Sequence, residues 1–130
     1  MVSGQILPNK VTNTDLISAL RTIPRERFVP RHLQGIAYVD ENIMLGNGRY
    51  MPEPMILARL IEHAGIGKND IVLDIGCGTG YSTAVLGRLV ATVVGLESDP
   101  GLAQSADRLL HDLDVCNTAV ISVKNLREGY

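Results

Sequence analysis

The stretch Val72-Leu73-Asp74-Ile75-Gly76-Cys77-Gly78-Thr79-Gly80-Tyr81 constrains the fold more than any other part of this chain. The apolar run Ile71 to Ile75 has the length of a strand and the composition of one buried on both faces. It runs into glycines at alternate positions. These permit a sharp turn and remove β-carbons that would block a ligand lying against the backbone. A helix is expected next, from Tyr81 to Leu89, and then a second strand over Thr92 to Glu97. Pro100 opens a further helix with Leu102, Ala103, Ala106, Leu109, Leu110 and Leu113 on one side, and a third strand follows from Thr118 to Val123. Strand–helix alternation of this kind predicts a parallel sheet with right-handed crossovers, half of a doubly wound α/β fold.

The chain changes character near Asp70. Residues 1–69 read as a helical and loop segment, and residues 70–130 as the Rossmann-like half; together they read as one incomplete domain. In the first segment Asn13 and its neighbours Thr12, Thr14 and Asp15 offer N-cap side chains, and Leu16, Ile17, Leu20 and Ile23 follow at helical spacing. Pro24 stops that helix and opens a short turn through Phe28, which ends before Pro30. Gln34 to Tyr50 reads as loop, with short strand pieces around Ala37-Tyr38-Val39. Pro54 begins another helix with an apolar face of Met55, Ile56, Leu60, Ile61 and Ala64, and Gly65 is its natural C-cap.

A second acidic signal accompanies the glycine loop. Glu97 ends the second strand about 20 residues after Gly76, where a carboxylate can accept hydrogen bonds from both hydroxyls of a ribose. A dinucleotide loop would carry its third glycine at the position of Tyr81. Here the glycines fall at 76, 78 and 80, and Asp74 precedes them. A carboxylate beside the ligand disfavours a pyrophosphate and suits the cationic end of S-adenosylmethionine (SAM). The expected nucleoside site is therefore Asp74, Gly76, Cys77, Gly78, Thr79, Gly80, Tyr81 and Glu97, with SAM as cofactor and S-adenosylhomocysteine as product. Cys77 has no neighbouring base in the sequence that would activate a thiol, so it reads as a small side chain beside the ligand.

Composition removes several alternatives. Lys and Arg number 12 against 14 Asp and Glu, with no basic block, which gives no support for nucleic acid or an anionic membrane. No apolar run approaches the roughly 20 residues that span a bilayer, and the N-terminus is not laid out as a signal peptide. Cys77 and Cys116 suggest no disulfide framework, and His32, His63 and His111 form no metal-ligand pair. A cytoplasmic, reduced protein without a metal is expected.

The loop and the stretch Val94-Gly95-Leu96-Glu97 resemble the first two motifs of class I SAM-dependent methyltransferases. The upstream segments Ile23-Pro24-Arg25-Glu26-Arg27-Phe28-Val29-Pro30, Ala37-Tyr38-Val39-Asp40 and Leu45-Gly46-Asn47-Gly48 resemble protein-L-isoaspartate O-methyltransferases in particular. That resemblance implies the N-terminal half of a Rossmann-like class I methyltransferase fold. It implies methyl transfer from SAM to the carboxylate of isoaspartyl residues in damaged proteins, with protein or peptide as partner. It carries Asp74, Gly76, Gly78, Gly80 and Glu97 over as SAM contacts, and places Asn125 where the family meets the adenine. Pro52, in Tyr50-Met51-Pro52-Glu53-Pro54, stands where the family has an acceptor-site serine or threonine, so no catalytic residue is assigned. A SAM-binding module without efficient transfer and a methyltransferase with another acceptor stay open; an NAD-linked oxidoreductase is disfavoured by Tyr81. The family's domain is longer, so the chain reads as truncated after its third strand. Its apolar strand would then lie at a sheet edge, open to homo-oligomer formation unless the N-terminal helices cover it.

Overall fold

The computed structural model describes residues 13–38, 42–46 and 49–124. The chain divides into two compact units, Met1–Ile66 and Gly67–Tyr130.

The first unit opens with helix α1 (Thr14–Thr22). Asn13 caps it, its side-chain oxygen accepting from the Leu16 amide at 3.0 Å. Leu16, Ala19 and Leu20, spaced as one helical face, are buried. Two short 3-10 turns follow, Arg25–Phe28 and Arg31–Ile36, each entered through a proline. Arg25 is fully buried. Its Nε donates to the Ala37 carbonyl at 2.5 Å and its Nη2 to the Pro52 carbonyl at 2.9 Å, so one guanidinium ties three separate parts of the segment together. Strands β1 (Ile43–Gly46) and β2 (Arg49–Met51) form an antiparallel pair, and α2 (Pro54–Ala64) ends at Gly65, whose φ of 63° is the left-handed C-cap conformation.

The strand expected around Ala37-Tyr38-Val39 is not found among the described residues. Ala37 and Tyr38 lie in a turn, and Val39 is outside the described residues. The backbone and side chain at this point are already engaged by Arg25 and its neighbour. The Ala37 carbonyl accepts from Arg25, and the Tyr38 hydroxyl accepts from the Arg25 amide and donates to Glu26. The extended structure comes later, in β1 and β2.

The second unit is a parallel sheet of β3 (Ile71–Ile75), β4 (Thr92–Glu97) and β5 (Thr118–Ser122), in the order β3-β4-β5. Helix α3 (Tyr81–Gly87) joins the first pair and α4 (Pro100–Asp112) the second. This is the Rossmann-like arrangement the alternation predicts. The register places Asp74 beside Gly95, and Gly95 beside Val120. Asp99 caps α4, its Oδ1 accepting from the amides of Gly101 and Leu102. Ala103, Ala106 and Leu110 of α4 are buried.

One expectation for β3 fails. It reads as a strand buried on both faces, yet Ile71, Leu73 and Ile75 are 77%, 53% and 56% exposed. The reason is topological. Side chains of α3 reach Asp74, and the start of α3 packs against α4, so both helices lie over the face that carries Asp74. The alternate residues Ile71, Leu73 and Ile75 face the other way, on a strand at the sheet edge.

Asn117, just before β5, is a joint that periodicity does not reveal. Its Nδ2 donates to the carbonyls of Gly87, Val90 and Ala91 at 2.8, 3.1 and 3.2 Å, closing the turn between α3 and β4. Asn117→Ala leaves these acceptors without their donor, and a loss of about 1–3 kcal/mol is expected. A urea titration checks this; an unchanged midpoint would show that water replaces the amide at no cost.

Candidate functional site at the strand ends

The glycine loop leaves the end of β3 and is held to the neighbouring strand by its own backbone. The amides of Gly76 and Cys77 both donate to the Leu96 carbonyl, at 2.7 and 3.2 Å, and the Gly80 amide donates to the Cys77 carbonyl at 2.9 Å. Gly76, Gly78 and Gly80 have φ of 73°, 59° and 95°, a region that side chains disfavour. The alternate glycines are thus a requirement of the turn.

The third glycine has a further role. A β-carbon built on Gly80 would lie 3.1 Å from the Ala106 β-carbon and 3.4 Å from the Ala106 Cα. Sequence reasoning assigns this glycine to room for a ligand; its nearest neighbour here is helix α4.

Glu97 is fully buried at the end of β4. Its Oε1 accepts from the Gly78 amide at 2.8 Å and its Oε2 from the Asp99 amide at 2.9 Å. The carboxylate therefore joins the glycine loop to the start of α4. Both carboxylate oxygens are thus engaged by backbone amides.

Asp74 is half-buried on β3, and its Oδ2 accepts from two hydroxyls of α3, Ser82 Oγ at 2.7 Å and Thr83 Oγ1 at 2.8 Å. Burial raises its pKa above the usual carboxylate value. The two hydroxyl bonds oppose that rise, and the nearby charge of Glu97 adds to it. Two carboxylates thus stand at the ends of adjacent parallel strands, where open α/β sheets place their ligands.

Cys77 is buried in the loop. Burial first, then the charges of Asp74 and Glu97, pushes its thiol up to about 12, so it is not a nucleophile at neutral pH. Thr79 is partly exposed and Tyr81 is buried. Asn125 lies outside the described residues. Pro52 belongs to the other unit and is exposed, its carbonyl held by Arg25. No group of three or more His, Cys, Asp or Glu that could hold a metal occurs among the described residues, and no helix among them is long and apolar enough to cross a membrane.

Three contributors escape the sequence reading. Ser82 and Thr83 sit on the first turn of α3, one turn past the loop, and Gly95 lies inside a strand. An interior strand glycine often marks a close approach, and that signal was available. A β-carbon on Gly95 would lie 3.0 Å from Cys77 Sγ and 3.1 Å from Thr83 Oγ1.

The sequence signature of the family Protein-L-isoaspartate(D-aspartate) O-methyltransferase (PCMT) matches residues 4–130. The chain belongs to this family. It is 38% identical over 120 residues to a protein-L-isoaspartate O-methyltransferase of Pelotomaculum thermopropionicum, covering 92% of this chain and 52% of that protein. Its identity to the protein of the same name from Methanoculleus marisnigri is 37% over 130 residues, all of this chain and 59% of that one. The chain thus spans about half the length of the curated relatives it matches. Among solved structures, a protein-L-isoaspartate O-methyltransferase superposes with a TM-score of 0.77 at 26% identity, over 89% of this chain and 39% of that one. A Plasmodium falciparum structure described as a family member in complex with S-adenosyl-L-homocysteine superposes at 0.71 and 18% identity, over 90% of this chain and 59% of that one, a likeness of fold.

Proposed function

We propose that this chain forms the SAM-binding half of an enzyme that methylates the carboxylate of isoaspartyl residues in damaged proteins. The observation that carries the reading is the pair of carboxylates, Asp74 and Glu97, fixed on either side of a positive-φ glycine turn. The donor set fits the cofactor. Acceptor oxygens suit a ligand that offers an ammonium group and ribose hydroxyls, and they repel a pyrophosphate. Asp74 serves the cationic end, Glu97 the ribose, and Gly76 to Tyr81 the wall against which the nucleoside lies; Asn125 serves the adenine edge. SAM, when bound, supplies a methyl group on a sulfonium leaving group. The acceptor carboxylate is already ionised at pH 7, so no strong base is needed. The raised Cys77 thiol fits a passive role. What the residues contribute is positioning and exclusion of water. The protein works as a soluble enzyme of the cytoplasm, on protein substrates rather than nucleic acid or membranes.

A second reading rests on Pro52. Proline offers neither hydroxyl nor amide hydrogen, so the contact that the family makes to its acceptor at this position has no donor here. On this reading the chain binds SAM and its product but transfers poorly. Methyl incorporation into an isoaspartyl peptide decides between them, with Pro52→Ser alongside. The Arg25 bond goes to the backbone carbonyl of Pro52 and survives the change. Binding without transfer in the parent, and a gain of about tenfold or more in Pro52→Ser, establishes the second reading with the acceptor contact as its cause. Transfer in the parent that Pro52→Ser leaves unchanged establishes the first. Neither binding of S-adenosylhomocysteine nor transfer by a folded chain refutes both.

The exposed edge of β3 extends the proposal to assembly. A second copy pairing there would take up the open backbone groups of β3, the strand that carries the exposed Ile71, Leu73 and Ile75.

A further inference from the structure

Both hydroxyl donors to Asp74 converge on one of its oxygens. Oδ2 accepts from Ser82 and Thr83, whereas Oδ1 accepts no hydrogen bond among the described residues. The two donors differ in setting. Ser82 is partly exposed, and Thr83 is fully buried. Thr83 reaches Asp74 through a slot that exists because residue 95 is glycine. Gly95 is the register partner of Asp74 on β4, and a β-carbon there would stand 3.1 Å from the Thr83 hydroxyl. Four features thus meet at one point: a strand-end carboxylate, a buried hydroxyl, a side-chain-free neighbour and a glycine loop.

We propose that Thr83, seconded by Ser82, is the positioning residue for Asp74: it holds one carboxylate oxygen and leaves the other for the ammonium group of the bound nucleoside. This rests on the nucleoside reading of the site. The carboxylate must also be ionised to attract a cation. Its surroundings work against that: burial and the charge of Glu97 both favour the protonated form, and Cys77, the other ionisable group beside it, is uncharged at neutral pH. The hydroxyls of α3 are what favour the charged form. Loss of Thr83 would raise the pKa of Asp74, and a ligand that needs the carboxylate would be lost at a higher pH as the solution is acidified.

The variants are Thr83→Val, which keeps the shape and removes the hydroxyl, and Thr83→Ser, which keeps the hydroxyl. The first readout needs no ligand. The carboxyl carbon of Asp74, assigned with Asp74→Asn, is titrated by NMR. The midpoint should rise by about one pH unit in Thr83→Val, the size expected for one hydrogen bond to a charged group, and return in Thr83→Ser. An unchanged midpoint in folded Thr83→Val overturns the proposal. The second readout is calorimetric titration with S-adenosylhomocysteine across pH. Affinity of Thr83→Val should fall by about tenfold on the acid side and approach that of the parent at alkaline pH. An equal loss at every pH overturns the proposal and leaves Thr83 a packing role. If the folded parent binds no S-adenosylhomocysteine, the nucleoside reading fails, and the ligand half of the proposal with it. The carboxyl titration then still decides whether Thr83 governs Asp74.

Discussion

Glu97→Ala is expected to abolish measurable binding of S-adenosylhomocysteine and to lower the melting temperature of the chain. The two effects have different origins. A carboxylate that accepts two ribose hydroxyls contributes about 3–6 kcal/mol at roughly 1.5–3 kcal/mol per bond, or two to four orders of magnitude in Kd. The loss of stability comes from the protein itself. Glu97 is fully buried and satisfies the amides of Gly78 and Asp99. Alanine strands both donors, at about 1–3 kcal/mol for each that water cannot reach. Glu97→Gln separates the contributions. Its carbonyl still accepts one amide, while its amino group meets the other donor to donor, so it should be more stable than Glu97→Ala and still bind weakly. Calorimetric titration together with thermal melts by circular dichroism checks both. Full affinity in Glu97→Ala would remove the ribose from this site and, with it, the strongest ground for the nucleoside.

Gly80→Ala should be among the most destabilising single-methyl additions in the second unit. Residue 80 has a φ of 95°, and a β-carbon there would approach Ala106 Cβ to 3.1 Å and Ala106 Cα to 3.4 Å. The backbone conformation alone costs about 1–2 kcal/mol for a residue with a side chain. Forcing a methyl into a packed contact adds about 1–3 kcal/mol. The sum, about 2–5 kcal/mol, is a large share of the stability of a small domain. Ala106→Gly in the same chain removes the nearer of the two clashes and leaves the backbone strain. That substitution alone costs about 0.5–1 kcal/mol in a helix. The double variant should therefore be more stable than the sum of the single losses predicts. Strict additivity in urea titrations would mean that α3 and α4 part without strain.

The sequence reveals local order well. The bounds of β3 and β4 and the left-handed cap at Gly65 follow from apolar runs, prolines and glycines acting within a few residues. What it hides depends on partners distant in the chain. The apolar run of β3 does not say that both helices fall on one face, leaving Ile71, Leu73 and Ile75 uncovered. Alternate glycines do not distinguish room for a ligand from room for a helix, and at Gly80 the helix is what is found. Asp74 and Glu97 stand out as acids in place, but nothing in their spacing shows that Glu97 is bonded to the loop or that Thr83 reaches Asp74 past Gly95. The turn at Ala37 and Tyr38 is likewise set by a buried arginine twelve residues away in sequence.

The strand order β3-β4-β5 is also the order of synthesis. Each strand pairs with the one made just before it, so every crossover spans a single helix and its two loops. Asp74, the glycine turn, Ser82, Thr83, Glu97 and the Asp99 amide all lie between positions 74 and 99. A polypeptide emerging from the ribosome therefore carries Asp74, Glu97, the Gly78 and Asp99 amides and the two α3 hydroxyls before β5 has been translated. Whatever β5 adds, it adds to a carboxylate pair whose bonds to the loop and to α3 are written in a single continuous stretch.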